Sequence, residues 1–577
     1  MSDLVAVARG SEPADLLITG ARVLEVYSGE FLDTPVALAG GRIAGLGDYE
    51  AHATLHLPGV TLLPGFMDGH LHLESSQLAP AEFAAAVVTH GTTTVIADPH
   101  EICNVCGLAG ARALLEATPR ELLTLYLMAP SCVPATPLET AGAELGPAEV
   151  AAMLAWPEVL GLGEVMNFPG VITGAPEVRA KLALAAGRPI DGHAPGVTGK
   201  DLAAYVAAGP QSEHEATTLA EGREKLAAGL WLMIREGSAS PDLHALAPLL
   251  QGPGAGRCLL VTDDCSPADL WRRGHLDHIL RRAREEGVGA LAAVRAVTCH
   301  VAARFGLRDR GAIVPGAVAD LVAVSDLDMF RVQAVLKAGQ LVAREGQLVK
   351  SLPEAHRRTP GSACAGSCRL PELTPRSWAV AAPEGASEAT VRVIEVREGQ
   401  IVTGQSRERL PVREGQVQAD PARDILKLVV IERHGRGGHI GVGLVRGLGL
   451  QAGALGTTVA HDSHNLLLAG ADDRSLLTAA QTLAASGGGQ VVTRGEEVLA
   501  HLPLPWAGLM SDRPLAEVVA RSEALQQAAA ALGSHLTQPL MALSFLALPV
   551  IPELKLTDQG LVEVGSFSLV PVVVEPA

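Results

Sequence analysis

Residues 64–76, PGFMDGHLHLESS, restrict the fold more than any other stretch of this chain. A short apolar lead-in, 60–63, meets a Pro-Gly break and continues into Asp-Gly-His-Leu-His. Successive side chains of a strand point to opposite faces, so His70 and His72 project the same way. Two imidazoles so aligned can hold one divalent metal. An HxH pair by itself could equally be two strand histidines with no ligand role, so the decision rests with residues further along the chain.

Those residues arrive in pieces. Between about residues 63 and 310, apolar strand-like runs alternate with Ala/Leu-rich helical ones. Eight runs read as strands: 66–72, 94–98, 122–128, 159–164, 189–193, 211–214, 231–234 and 258–263. Seven of them end in, or lead directly into, polar residues suited to chemistry. Repeated βα units closing at eight strands predict an α/β fold of TIM type, a (β/α)8 barrel whose active site lies at the carboxyl ends of the strands.

The flanks read differently. Residues 1–62 and 311–350 are β-like and punctuated by glycine turns, which predicts a small composite β-sandwich domain built from both sides of the 63–310 barrel. Residues 351–386 turn to Pro, Ser, Glu and Arg and read as a linker or extended surface segment. Residues 387–577 form a C-terminal α/β domain, with strands expected at 391–396, 425–431 and 489–492 and helices at 475–485 and 515–532.

Composition excludes some partners. The chain of 577 residues carries 45 basic and 63 acidic side chains, a formal charge of −18 that disfavours nucleic acid and anionic membrane surfaces. The amino terminus shows no basic region followed by an apolar core, and no apolar run reaches the length of a membrane span, so a soluble cytoplasmic protein is expected. Cys103 and Cys106 are spaced C-x-x-C and Cys364 and Cys368 C-x-x-x-C. A zinc knuckle or redox pair is open to either; free thiols in a reducing compartment are the simpler expectation.

At the expected strand ends stand His70, His72, Glu164, His193, His214 and Asp263. Four imidazoles and two carboxylates suit a two-metal hydrolytic site, which needs an anionic bridge between the ions. Many barrel hydrolases use a carbamylated lysine there. Here the first lysine is Lys181, beyond the fourth strand, so no lysine of the first four strands is available, and Glu164 is the carboxylate in the right place.

Residues 64–76 resemble the first-strand signature of the amidohydrolase superfamily. Further segments resemble its bacterial adenine deaminase family: ADPHEICN at 97–104, PSCVPAT at 130–136, GEVMNFPGV at 163–171, DGHAPGVTGKDLAAY at 191–205, MIREGS at 233–238 and VTDD at 261–264. The last domain adds AHDSHN at 460–465, LPLPWAGLMSD at 502–512 and LSFLALPVIPELK at 543–555. The resemblance implies hydrolytic deamination of adenine to hypoxanthine and ammonia, in purine salvage, by two divalent metals, manganese first and iron second. It places His70, His72, Glu164 and Asp263 around one ion and Glu164, His193 and His214 around the other. Asp263, Glu164 and His214 are expected to be catalytic, with Asp263 as proton shuttle and Asp264 the adjacent alternative. Glu213 stands where the pattern has Asp, and Cys103 and Cys106 occupy a loop that more often carries small apolar residues.

Glu101, Arg235, Glu236 and Ser238 fall on the rim where a purine base would be recognised, although an Arg235–Glu236 ion pair would account for two of them. His461 and His464 are the C-terminal side chains expected to reach the barrel mouth or a partner subunit. The resemblance also implies a homo-oligomer, a dimer or tetramer. Competing readings are another amidohydrolase, acting on a nucleoside or a cyclic amide, and an inactive barrel scaffold.

Overall fold

Eight parallel strands form where the apolar runs predict them. In this computed structural model, which describes residues 3–352 and 364–574, they are β1 (Phe66–Leu71), β2 (Thr92–Ala97), β3 (Thr124–Ala129), β4 (Val159–Val165), β5 (Ile190–Gly192), β6 (Ser212–Glu213), β7 (Trp231–Arg235) and β8 (Cys258–Val261). β3 starts later than expected because Leu122 and Leu123 donate their N–H groups to Pro119 O and complete a turn.

Strands β1 to β5 make one parallel sheet and β6 to β8 another. Two seams join them. At one, the Gln211 amide donates to Ile190 O at 2.9 Å; at the other, Leu71 bridges Asp263 in parallel, with His72 N–H to Asp263 O and Asp263 N–H to His70 O, each 3.1 Å. The inward residues Met67, Ile96, Met128, Met233, Leu259 and Val261 pack with Val301 and Phe305 of helix Cys299–Phe305. The barrel is therefore filled, and polar side chains concentrate at its carboxyl end.

The β-rich flanks pair with each other. Strand Thr61–Pro64 runs antiparallel to Leu321–Val324 inside a seven-stranded sheet, and a four-stranded sheet from residues before the barrel packs near it. After residue 364 a nine-stranded sheet is covered by helices Asp473–Ala485 and Leu515–Ala531. All eight cysteines are free. Among the described residues no helix is long and apolar enough to cross a membrane.

One expectation is corrected. Part of the 351–386 segment, residues 353–363, lies outside the described residues. The remainder lacks helices and strands, yet it is not merely a surface segment: Trp378 is fully buried against Val429, Ile431, Leu466 and Leu468. Proline and charge set the backbone's irregularity, while a single large apolar ring is enough to anchor it. Trp378→Ala is expected to destabilise the C-terminal sheet by about 3–5 kcal/mol, measured by chemical denaturation; a change within about 0.5 kcal/mol would restore the surface reading.

Candidate metal centre

At the carboxyl end of β1, His70 and His72 emerge on one face with ring centroids 5.1 Å apart. The His72 Nδ1–H donates to Asp98 O at 3.1 Å, which fixes the tautomer and turns Nε2 inward. That Nε2 lies 3.3 Å from Glu164 Oε1 and 3.1 Å from Asp263 Oδ1, and His70 Nε2 lies 3.3 Å from the same Asp263 oxygen. Across the barrel, Glu164 Oε2 is 2.7 Å from His193 Nδ1 and 3.2 Å from His214 Nε2. The two oxygens of one carboxylate thus face two separate groups of imidazoles. His70 stacks on His214 at 4.2 Å, which joins the groups into one cluster.

The backbone explains how so much charge is held together. Ser131 Oγ donates to Glu164 O at 2.5 Å, and the Glu164 amide donates to Asp98 Oδ2 at 2.8 Å. Gly163 is required next door, since a Cβ there would collide with Asp98 Oδ2. Burial alone would raise the Glu164 carboxyl, but contacts with His193 and His214 hold it well below the usual carboxylate range. Asp263 behaves alike: burial is outweighed by His70, His72 and Arg235.

The donor set suits divalent ions. His70 Nε2 and His100 Nδ1 are buried without a hydrogen-bond partner, and His70, His72 and Glu164, or Glu164, His193 and His214, each offer ligand atoms within 4.8 Å of one another. Imidazole and carboxylate together favour first-row transition metals.

The amidohydrolase family model matches residues 61–342, and the adenine deaminase C-terminal domain model matches residues 400–568. Over 574 residues the chain is 47% identical to adenine deaminase 2 of Carboxydothermus hydrogenoformans, covering 99% of each. It is 47% identical over 576 residues to an adenine deaminase of Nitratidesulfovibrio vulgaris, and 44% over 572 to one of Dehalococcoides mccartyi, again covering 99% of both chains. The chain belongs to the adenine deaminase family.

In this family member a cavity of about 120 Å³ adjoins the cluster, below the roughly 300 Å³ at which sites for larger ligands begin. Glu74, Ser75, Glu101, Ser238 and Asp264 form its barrel side; His461, His464, Gln490, Gln538 and Met541 form its C-terminal side. Asp263 and Asp264 are thereby separated in place. Asp263, at φ 58°, turns into the cluster, while Asp264 faces the cavity and accepts from Ser75 Oγ.

Two expected rim residues lie elsewhere. Arg235 pairs with Glu215, with Asp242 at 2.9 Å and with Asp263 at 3.3 Å, so it braces the cluster from behind. Glu236 pairs with Arg282 at 3.1 Å. Neither lines the cavity beside the cluster, and they do not pair with each other, because consecutive residues leaving a strand project to opposite sides. Glu213, the departure from the family pattern, meets the fully buried Lys225 at 2.9 Å and accepts backbone N–H groups of Glu215 and Ala216, holding the loop that carries His214.

Four residues at the site escaped sequence reasoning. His100 Nδ1 lies 3.4 Å from Glu164 Oε1, Asp98 supports both, Glu215 approaches His214 at 3.4 Å, and Glu74 lines the cavity with one carboxylate oxygen unpartnered. The signal for the first two was present, since Asp-Pro-His-Glu sits at the end of β2. Gly163→Ala is expected to displace Asp98 and lower the divalent-metal content of the purified protein several-fold, read by elemental analysis with circular dichroism unchanged; a normal metal content would remove Asp98 from the support of the site.

Proposed function

We propose that the chain hydrolyses the 6-amino group of adenine, yielding hypoxanthine and ammonia. One observation carries this reading: within the adenine deaminase family framework, a single carboxylate, Glu164, stands between two sets of histidines beside a small cavity. His70, His72, Asp263 and one Glu164 oxygen would hold one divalent ion, and His193, His214 and the other Glu164 oxygen a second, manganese ahead of iron. His100 adds a nitrogen to the shared side. When bound, such ions supply the Lewis acidity that makes water a nucleophile near neutral pH.

The chain's own groups would do the rest. Water oxygen forms a bond to C6, and Asp263 takes up the proton released. Asp263 passes that proton to a ring nitrogen, then takes the second proton from the C6 hydroxyl and gives it to the amino group, so that the C6=O bond forms as the C6–N bond breaks and ammonia departs. Adenine and water are thereby converted to hypoxanthine and ammonia with no other reactant. Arg235, 3.3 Å from Asp263 Oδ2, would hold the carboxylate ionised and in place between transfers. Ser238 and Asp264 are the rim groups facing the base, while Glu101 on the same rim is engaged by His461 and His464. Burial and the adjoining Asp263 charge push the Asp264 carboxyl above the usual carboxylate range.

The setting we infer is cytoplasmic purine salvage by a homo-oligomer, dimer or tetramer, on a free purine base and without nucleic acid or membrane. Sedimentation analysis reports the assembly.

Ammonia release from adenine, adenosine and dihydroorotate by Mn²⁺-reconstituted protein tests the reaction. Turnover of adenine alone is expected; activity confined to either alternative would overturn the purine-base assignment. Glu164→Gln should abolish turnover and deplete metal together, because the shared carboxylate loses its charge. Asp263→Asn should lower kcat by about 10²–10⁴-fold while retaining most metal, and Asp264→Asn should fall less. Equal loss of metal and turnover in Asp263→Asn would make it a structural ligand only.

A further inference from the structure

The barrel mouth is closed by another part of the chain. Residues 460–465 of the C-terminal domain reach the carboxyl end of β2 and bring two imidazoles to Glu101. His461 Nδ1 lies 2.8 Å from Glu101 Oε1, and His464 Nε2 meets Oε2. The Ala460 amide donates to His464 Nδ1 at 3.1 Å, so that nitrogen carries a lone pair and Nε2 holds the proton given to Glu101.

These three side chains also offer ligand atoms within 4.8 Å of one another, a spacing that would admit a metal. The hydrogen bonding argues for another use. In the main cluster, buried His70 Nε2 has no partner, whereas no buried atom of Glu101, His461 or His464 is left in that state. The His461 ring stacks on Phe545 at 4.7 Å and its Nδ1 is fixed on Glu101, which leaves Nε2 as the uncommitted edge of a ring that lines the cavity. A base holding an imidazole by one nitrogen so that the other can act is the orienting logic of catalytic triads.

We propose that His461 is a catalytic residue delivered by the C-terminal domain: its Nε2–H contacts the purine ring and stabilises the negative charge that develops on ring nitrogen as oxygen adds to C6, with Glu101 as its positioning residue. This rests on the adenine reading above. A fixed, charge-assisted donor at the edge of a substrate cavity is among the stronger devices available to an active site. The groups facing His461 are Glu101 from the barrel, Asp264 from beyond β8, and Asp462 and His464 from its own loop. Burial works against a charged imidazole, but the Glu101 carboxylate outweighs it and brings His461 to about 9, so the ring stays cationic through neutral pH.

Steady-state kinetics on metal-loaded, full-length wild type, H461Q, H461N and E101Q test the assignment. Both His461 variants are expected to lose about 10²–10³-fold in kcat, with smaller changes in KM and with metal content and thermal midpoint unchanged. In E101Q the alkaline limb of kcat/KM should move toward the ordinary imidazole value near 6.5. A kcat within about threefold of wild type in both His461 variants overturns the proposal. So does an unmoved limb in E101Q, or loss of metal in step with turnover. If wild type converts adenosine and leaves adenine untouched, the substrate reading fails by itself, and the same variants assayed on adenosine decide the role of His461.

Discussion

Asp68 is fully buried between the first and last barrel strands, where its carboxylate accepts the Thr262 hydroxyl at 2.7 Å and the amides of His70 and Thr262 at 3.3 and 3.4 Å. Burial raises its pKa to about 7, against which these hydrogen bonds work. The clasp sets the register in which β1 meets β8. On that register depends the bridge between Leu71 and Asp263, and with it the approach of Asp263 to both histidines of β1. A slip of one residue would turn every side chain of the strand to the opposite face. The Asp in Asp-Gly-His-Leu-His is therefore as much a part of the cluster's geometry as the histidines, although it touches none of the inward-facing nitrogens.

Around the cluster, charge is managed in layers. Arg235 and Glu215 stand behind Asp263 and His214, Lys225 behind Glu213, and Arg304 behind Asp191 at 2.6 Å. Buried ion pairs of this kind add little net stability, because desolvation offsets much of their attraction. Their effect is positional. Each fixes a strand end or loop that presents a cluster residue, and removing one partner would leave a buried charge uncompensated.

The alternation of apolar runs and polar ends in the sequence anticipated the eight strands, the composite sheet and the six side chains that meet at the mouth. Those features follow from local periodicity and from the rule that parallel barrels carry chemistry at one end. Direction beyond the strand end was not readable. Arg235 and Glu236 are neighbours in sequence but diverge in space, and which of Asp263 and Asp264 turns inward depends on a left-handed backbone at Asp263. Trp378 was missed because one buried ring hardly alters the composition of a proline-rich stretch. His461 and His464 could be singled out by motif, but their meeting with Glu101 spans some 360 residues and is a property of the packed chain.

Lys181 is spoken for: its ammonium donates to Ser131 O at 2.9 Å and pairs with Glu177 at the same distance. With no lysine earlier in the chain, the place between the two histidine groups belongs to a carboxylate made by translation itself. A metal centre assembled on Glu164 would take no carbon dioxide from solution. Its loading with metal would then be indifferent to bicarbonate, because no ligand has to be carbamylated first.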